Sequence, residues 1–109
     1  MFKAKNNVTL IGKMGSDARV TSFDNGSKVV RFEIAQDKDY RANTGKTKRM
    51  TEWHKVFAWG TIAQLIEEFG GKGKTVAVTG LLVNRTYVGQ DGRARTITEI
   101  EIREILGLV

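Results

Sequence analysis

The chain has 109 residues, 40% hydrophobic and 28% charged, with a formal net charge of +6. That size fits one small domain, residues 1–109, and the charge favours a polyanionic partner. With no cysteine and a single histidine, disulfides are excluded and a Cys/His zinc site is effectively excluded. No apolar run approaches membrane-spanning length, and the start, Met1-Phe2-Lys3-Ala4-Lys5-Asn6-Asn7, lacks an apolar leader core. A cytoplasmic location is the expectation.

In chain order, Val8, Leu10 and Gly12 alternate with Thr9 and Ile11, predicting a first strand that continues past Gly15 to Val20. Asp24-Asn25-Gly26 is a hairpin signal. A second strand follows, with Val30, Phe32 and Ile34 alternating with Arg31 and Glu33, and Asn43-Thr44-Gly45 marks the next turn. The third strand is Thr51 to Gly60. It carries Trp53, Lys55, Phe57 and Trp59 on one face and His54, Val56 and Ala58 on the other. A helix is predicted next, with Ile62, Leu65, Ile66 and Phe69 on its buried side. Thr61 and Gln64 have capping-box spacing, and Gly70 suits a left-handed C-terminal cap. The fourth strand runs from Thr75 to Leu82, with Val76, Val78 and Leu82 on one side. A hairpin tip at Gln90-Asp91-Gly92 leads to the last strand, from about Thr96, with Ile100 and Ile102 inward and Glu99, Glu101 and Arg103 outward. The order β-β-β-α-β-β predicts an all-β fold with one short helix. It matches the five-stranded Greek-key barrel called the OB-fold.

Charge is uneven along this plan. Lys38, Arg41, Lys46, Lys48, Arg49 and Lys55 gather in and around the loop before strand three, beside Tyr40. Arg85, Arg93 and Arg95 occupy the last hairpin, beside Tyr87. Bases stack on aromatic rings and cations meet phosphates, so two basic arms flanking an aromatic strand form a groove suited to a single strand. Trp53, Phe57 and Trp59 could instead pack a core. Lys55 on the same face argues against that, because lysine is almost never fully buried. Gly70-Gly71-Lys72-Gly73-Lys74-Thr75 imitates the end of a phosphate-binding loop, but Glu68 stands where the first glycine belongs and the helix precedes the strand. Nucleotide hydrolysis is rejected, while Lys72 and Lys74 stay within reach of phosphate. No nucleophile signature accompanies His54, so no catalytic residue and no cofactor is assigned.

Asn7-Val8-Thr9-Leu10-Ile11-Gly12, Gly15, Asp17, Thr51-Glu52-Trp53-His54-Lys55-Val56, Trp59-Gly60, Lys72-Gly73, Gly80, Gln90-Asp91-Gly92 and Thr98-Glu99 together resemble the bacterial single-stranded DNA-binding proteins. The resemblance covers nearly all of the chain. It implies an OB-fold homotetramer that wraps single-stranded DNA without sequence preference, in replication, recombination and repair, on the nucleoid. It implies stacking by Tyr40, Trp53, Trp59 and Tyr87 and basic contacts by Lys55, Lys72 and Arg85. His54 and Val8 fall at subunit contacts. Lys13 and Arg31 add charge where the family often has polar residues, and Lys48 and Arg49 join the candidate DNA-binding set. Val83 and Thr86 stand where basic residues are common. The family's acidic-tipped tail recruits other enzymes, and this sequence stops at Val109, so tail-mediated recruitment is not carried over. An OB-fold module preferring RNA or a protein is the alternative.

Overall fold

The computed structural model describes residues 5–109; Met1–Ala4, part of the segment read above as lacking a leader core, lie outside the described residues. The elements are β1 (Val8–Met14), β2 (Arg19–Ser22), β3 (Lys28–Arg41), β4 (Thr47–Trp59), α1 (Gly60–Phe69), β5 (Thr75–Val88) and β6 (Ala94–Leu108). The predicted first strand is thus split in two. Its halves stay on one track along β3, because Lys13 and Met14 pair with Ala35 and Ile34, and Arg19 to Ser22 pair with Arg31 to Lys28. Between them, the Gly15 amide donates to the Glu33 carbonyl at 2.7 Å.

The sheet runs β1-β5-β6-β4-β3-β2, and the β1–β3 pairing closes it into a ring. Counting β1 and β2 as one interrupted strand gives the five strands expected. All pairings are antiparallel except β4 with β6, which run parallel and meet at Val56↔Ile100 and Phe57↔Glu101. Within the ring, even-numbered residues of β3 and β4 from Val30 to Ile34 and from Val56 to Ala58 point into the core. Val30, Phe32, Ile34, Val56 and Ala58 pack with Met14, Val76, Val78, Ile100 and Ile102 into one core. Each large apolar side chain buried this way contributes about 1.5–3 kcal/mol.

Helix α1 presses Ala63 and Ile66 into that core, whereas Leu65 and Phe69, predicted as buried, are exposed. The capping box is not formed: Trp59 is the N-cap with no side-chain bond, and Gln64 donates to Glu68 instead. Gly70 is not left-handed either, at φ −81°. It is required for closeness, since a Cβ there would lie 2.5 Å from the Ile66 carbonyl oxygen. Leu82, predicted inward, is also exposed. It keeps the face of Val78, since the irregularities place the extra residues in β6 and Leu82 pairs with buried Ile100, but it lies past the end of the core.

Two ribbons leave the ring. β3 and β4 stay paired out to Arg41↔Thr47, and β5 and β6 out to Val88↔Ala94. The segment read as a basic loop before strand three is therefore mostly a hairpin, turning only at 42–46, where Gly45 has φ +83°. The arms account for a radius of gyration of 15.9 Å, against about 13 Å for a compact domain of this length. Among the described residues, no helix is long and apolar enough to cross a membrane.

Candidate nucleic-acid interface

Directly paired residues of neighbouring strands share a face, so the register lays out the outside of the ring row by row. One row is Lys13, Ala35 and Trp53; the next holds Glu33 and Lys55; the next Arg19, Arg31 and Phe57; and the last Thr21, Val29 and Trp59. Lys13, Lys55, Trp53 and Trp59 are all exposed, the two indoles at 56% and 45%. Phe57 is only 8% exposed and packs beneath Arg31, whose guanidinium carbon sits 5.1 Å from the ring centroid. The face inferred for β4 is thus outward-facing, with Phe57 its buried footing and not an exposed platform.

Trp53 owes its position to Gly15. A Cβ on Gly15 would come within 2.2 Å of the indole Cζ3 and 2.9 Å of Cε3. The ring therefore lies against bare backbone. Beside it, β4 and β6 diverge from their short parallel contact and leave a cleft of about 410 Å³ lined by Trp53, Lys55, Leu82, Ile97 and Ile100. Trp59 has a companion that the sequence reading missed. Phe23, at the β2–β3 turn, stacks on it with centroids 5.8 Å apart and planes 28° apart. Phe23 follows a polar segment with no alternation to mark it.

The arms contribute unequally. On the β5–β6 ribbon Arg85 and Tyr87 alternate onto the outer face with Glu99, and the Arg85 guanidinium carbon lies 5.8 Å from the Tyr87 ring centroid. On the β3–β4 ribbon Arg49 shares the Trp53 side, but Tyr40 and its partner Lys48 alternate to the other. Tyr40 is exposed, yet a strand touching both Tyr40 and Trp53 must pass around the arm. Lys38–Glu52 and Arg49–Asp39 pairs, each at 3.3 Å, brace this ribbon. Such exposed pairs contribute only about 0–1 kcal/mol, so they leave the cations able to exchange partners. Lys72 stands apart, exposed in the turn after α1, with its backbone amide donating to Asp17 at 2.8 Å.

Glu99 lies on the side read as outward, with Glu101 and Arg103, yet it is only 4% exposed. It does project from the outer face, and Arg31 and Arg85 cover it there. Its Oε2 accepts from Arg31 Nη1, and its Oε1 accepts from Arg85 Nε at 2.9 Å. Burial pushes the carboxyl pKa up, but the two arginine hydrogen bonds and their charges outweigh this and hold it below the usual glutamate value. The only sequence clue was the presence of Arg31 and Arg85 at outward positions on their own strands.

On the opposite face, His54 is half-buried and its Nε2 donates to Gln36 Oε1 at 3.0 Å; Gln36 in turn donates to the Ile11 carbonyl at 3.1 Å. Val8 is half-buried at the start of β1, opposite Gly80. Among the described residues, no group of three or more acidic or histidine side chains could hold a metal ion.

A closed strand ring with an intervening helix and an aromatic, basic outer face defines an OB-fold of the oligonucleotide-binding kind. The single-strand binding protein family model matches residues 5–108, and the chain belongs to that family. It is 39% identical over 97 residues to a single-stranded DNA-binding protein of Bacteroides thetaiotaomicron, a match that covers 87% of this chain and 60% of that protein. This chain thus spans about three fifths of that relative's length. It is also similar to a solved structure, the Plasmodium falciparum SSB in complex with ssDNA, with a TM-score of 0.82 and 31% identity over 93% of this chain and 89% of the other. Proteins of this family bind DNA without being enzymes.

Proposed function

We propose that this protein binds single-stranded DNA without sequence preference and protects it during replication, recombination and repair. The observation that carries the reading is the row of exposed Trp53, Lys55 and Trp59 over the buried Phe57. Bases stack on the two indoles and on Tyr87, with Tyr40 engaging a strand that rounds the β3–β4 arm. Lys13, Lys55, Arg31, Arg49 and Arg85 meet phosphates on the same side, Lys48 on the side of Tyr40, and Lys72 at the turn after α1. Stacking is worth about 1–3 kcal/mol per base, so four aromatics set a non-additive ceiling of about 4–12 kcal/mol. Family membership and the likeness to a complex with ssDNA support the choice of ligand.

Titration of oligo-dT by fluorescence tests this. Trp53→Ala and Trp59→Ala should each weaken binding by about 5-fold or more; unchanged affinity in both would remove the stacking surface. Competition with an RNA oligomer of matched sequence separates DNA from RNA preference.

The working unit is proposed to be a homotetramer, with His54 and Val8 at subunit contacts. Exposed Ile11 and Leu82 support it, because a small domain gains by covering such side chains with copies of itself. Light scattering showing a monomer at micromolar concentration would overturn the assembly without touching the DNA-binding reading.

A further inference from the structure

Arg31 and Arg85 are the candidate phosphate-binding cations that the fold ties to a nearly buried anion. Arg31 comes from β3 and Arg85 from β5, and both reach the same nearly buried carboxylate on β6. Each guanidinium also rests against an aromatic ring of the same face, Arg31 on Phe57 and Arg85 on Tyr87. Exposed pairs such as Arg49–Asp39 separate readily, but here the carboxylate is only 4% exposed and is held by two arginines at once. Freeing either arginine means giving up a charge-assisted bond to a carboxylate that the other still holds, so the cluster stays together when DNA arrives.

We propose that Glu99 is a built-in counter-anion of the DNA-binding face, a positioning residue that holds Arg31 and Arg85 in place and reduces their combined charge on phosphate from two to one. The inference rests on the DNA-binding reading above. Guanidinium has five N–H donors. The bonds to Glu99 use Arg31 Nη1 and Arg85 Nε, which leaves both nitrogens of the Arg85 fork and one of the Arg31 fork for phosphate. The arginines thus serve as fixed donors of moderate charge. The consequence is a grip that is aimed but weakened, suited to a protein that must let go of DNA when a polymerase or recombinase needs the strand.

The test is the salt dependence of oligo-dT binding by Glu99→Gln. Glutamine keeps the shape and one acceptor oxygen, and removes the charge. The log–log slope against salt should steepen by up to about 0.7, the value for one further phosphate on a single strand. Between about 50 and 200 mM salt, the variant's advantage over wild type should then shrink by about 2.6-fold, with tighter binding than wild type at the low-salt end. Glu68→Gln makes the same change in net charge on the helix and should leave the slope as in wild type. If Glu99→Gln does not fold, the pair Arg31→Gln with Glu99→Gln restores the net charge of the cluster and should bind with the wild-type slope. A folded Glu99→Gln with an unchanged or shallower slope, or a double variant with a reduced slope, would overturn the proposal. Failure of wild type itself to bind oligo-dT would instead overturn the DNA-binding reading.

Discussion

Replacing Gly15 by alanine should impair DNA binding while leaving the fold intact. The added carbon would sit 2.2 Å from Cζ3 and 2.9 Å from Cε3 of Trp53, whereas carbons in contact prefer about 3.5–4.0 Å. The indole must therefore move by more than about 1 Å. It can do so, because it is over half exposed. The backbone has no objection: Gly15 is not among the glycines with positive φ, and its amide bond to Glu33 does not involve Cβ. Glycine-to-alanine changes at compatible sites stabilise by about 0.4–1 kcal/mol through the unfolded chain, so the melting temperature should hold or rise. Binding is another matter. If Trp53 must lie in its present plane to accept a base, the loss approaches the stacking value of about 1–3 kcal/mol, or about 5- to 150-fold in affinity. The assay is oligo-dT titration of Gly15→Ala, Trp53→Ala and the double variant. Residues that act through one contact are not additive, so Gly15→Ala should cost little once Trp53 is gone. Full additivity, or wild-type affinity in Gly15→Ala, would refute the argument.

Gly80→Ala should do the opposite and damage the fold. Its Cβ would meet the Glu101 carbonyl oxygen at 2.0 Å, and backbone cannot swing aside as an indole can. A cost of about 1–3 kcal/mol is expected, lowering the melting temperature by about 4 °C or more per kcal/mol; an unchanged melt would show that β5 and β6 do not approach as described. Glu99 should also make the protein acid-sensitive. Its carboxyl is held below the ordinary value of 4.5 in the folded chain, so below that value the unfolded chain binds the extra proton and folding loses support. The contribution is complete above 4.5 and is lost as pH falls through the folded value. Melting temperature followed from neutral to acid pH should therefore drop less steeply in Glu99→Gln than in wild type; parallel curves would count against a charged Glu99.

What could be read in the sequence was whatever one face of water and one face of core impose. Val30, Phe32 and Ile34, then Val56 and Ala58, alternate into the core as expected, and Lys55 correctly marked its face as exposed. The Asp24-Asn25-Gly26 signal also corresponds to a turn, where Asn25 Oδ1 accepts from the Ser27 amide and Gly26 bonds back to Phe23. The ribbons were not legible because both of their faces meet water. Gln36 to Arg41 and Thr47 to Glu52 are polar but for Tyr40 and Met50, so period-two hydrophobicity vanishes although the pairing continues. The helix misled for a related reason. Leu65 and Phe69 fit the spacing of a buried stripe, but the surface that α1 rests on admits the smaller Ala63 beside Ile66, and this rotates the two larger residues outward. Glu99 was out of reach, since its partners lie 68 and 14 residues away in the chain.

The ring closes through two short junctions, Lys13 and Met14 against Ala35 and Ile34, and Val56 and Phe57 against Ile100 and Glu101. Mechanically, the domain is two antiparallel half-shells, β2-β3-β4 and β1-β5-β6, hinged along a pair of narrow seams. Arg31 belongs to one half-shell, Glu99 and Arg85 to the other, so their ion cluster is a clasp across the β4–β6 seam. Trp53 and Lys55 stand on one lip of that seam and Ile97 on the other. A base wedged between the lips would pull directly against the clasp, which ties the width of the groove floor to the bonds that Glu99 makes.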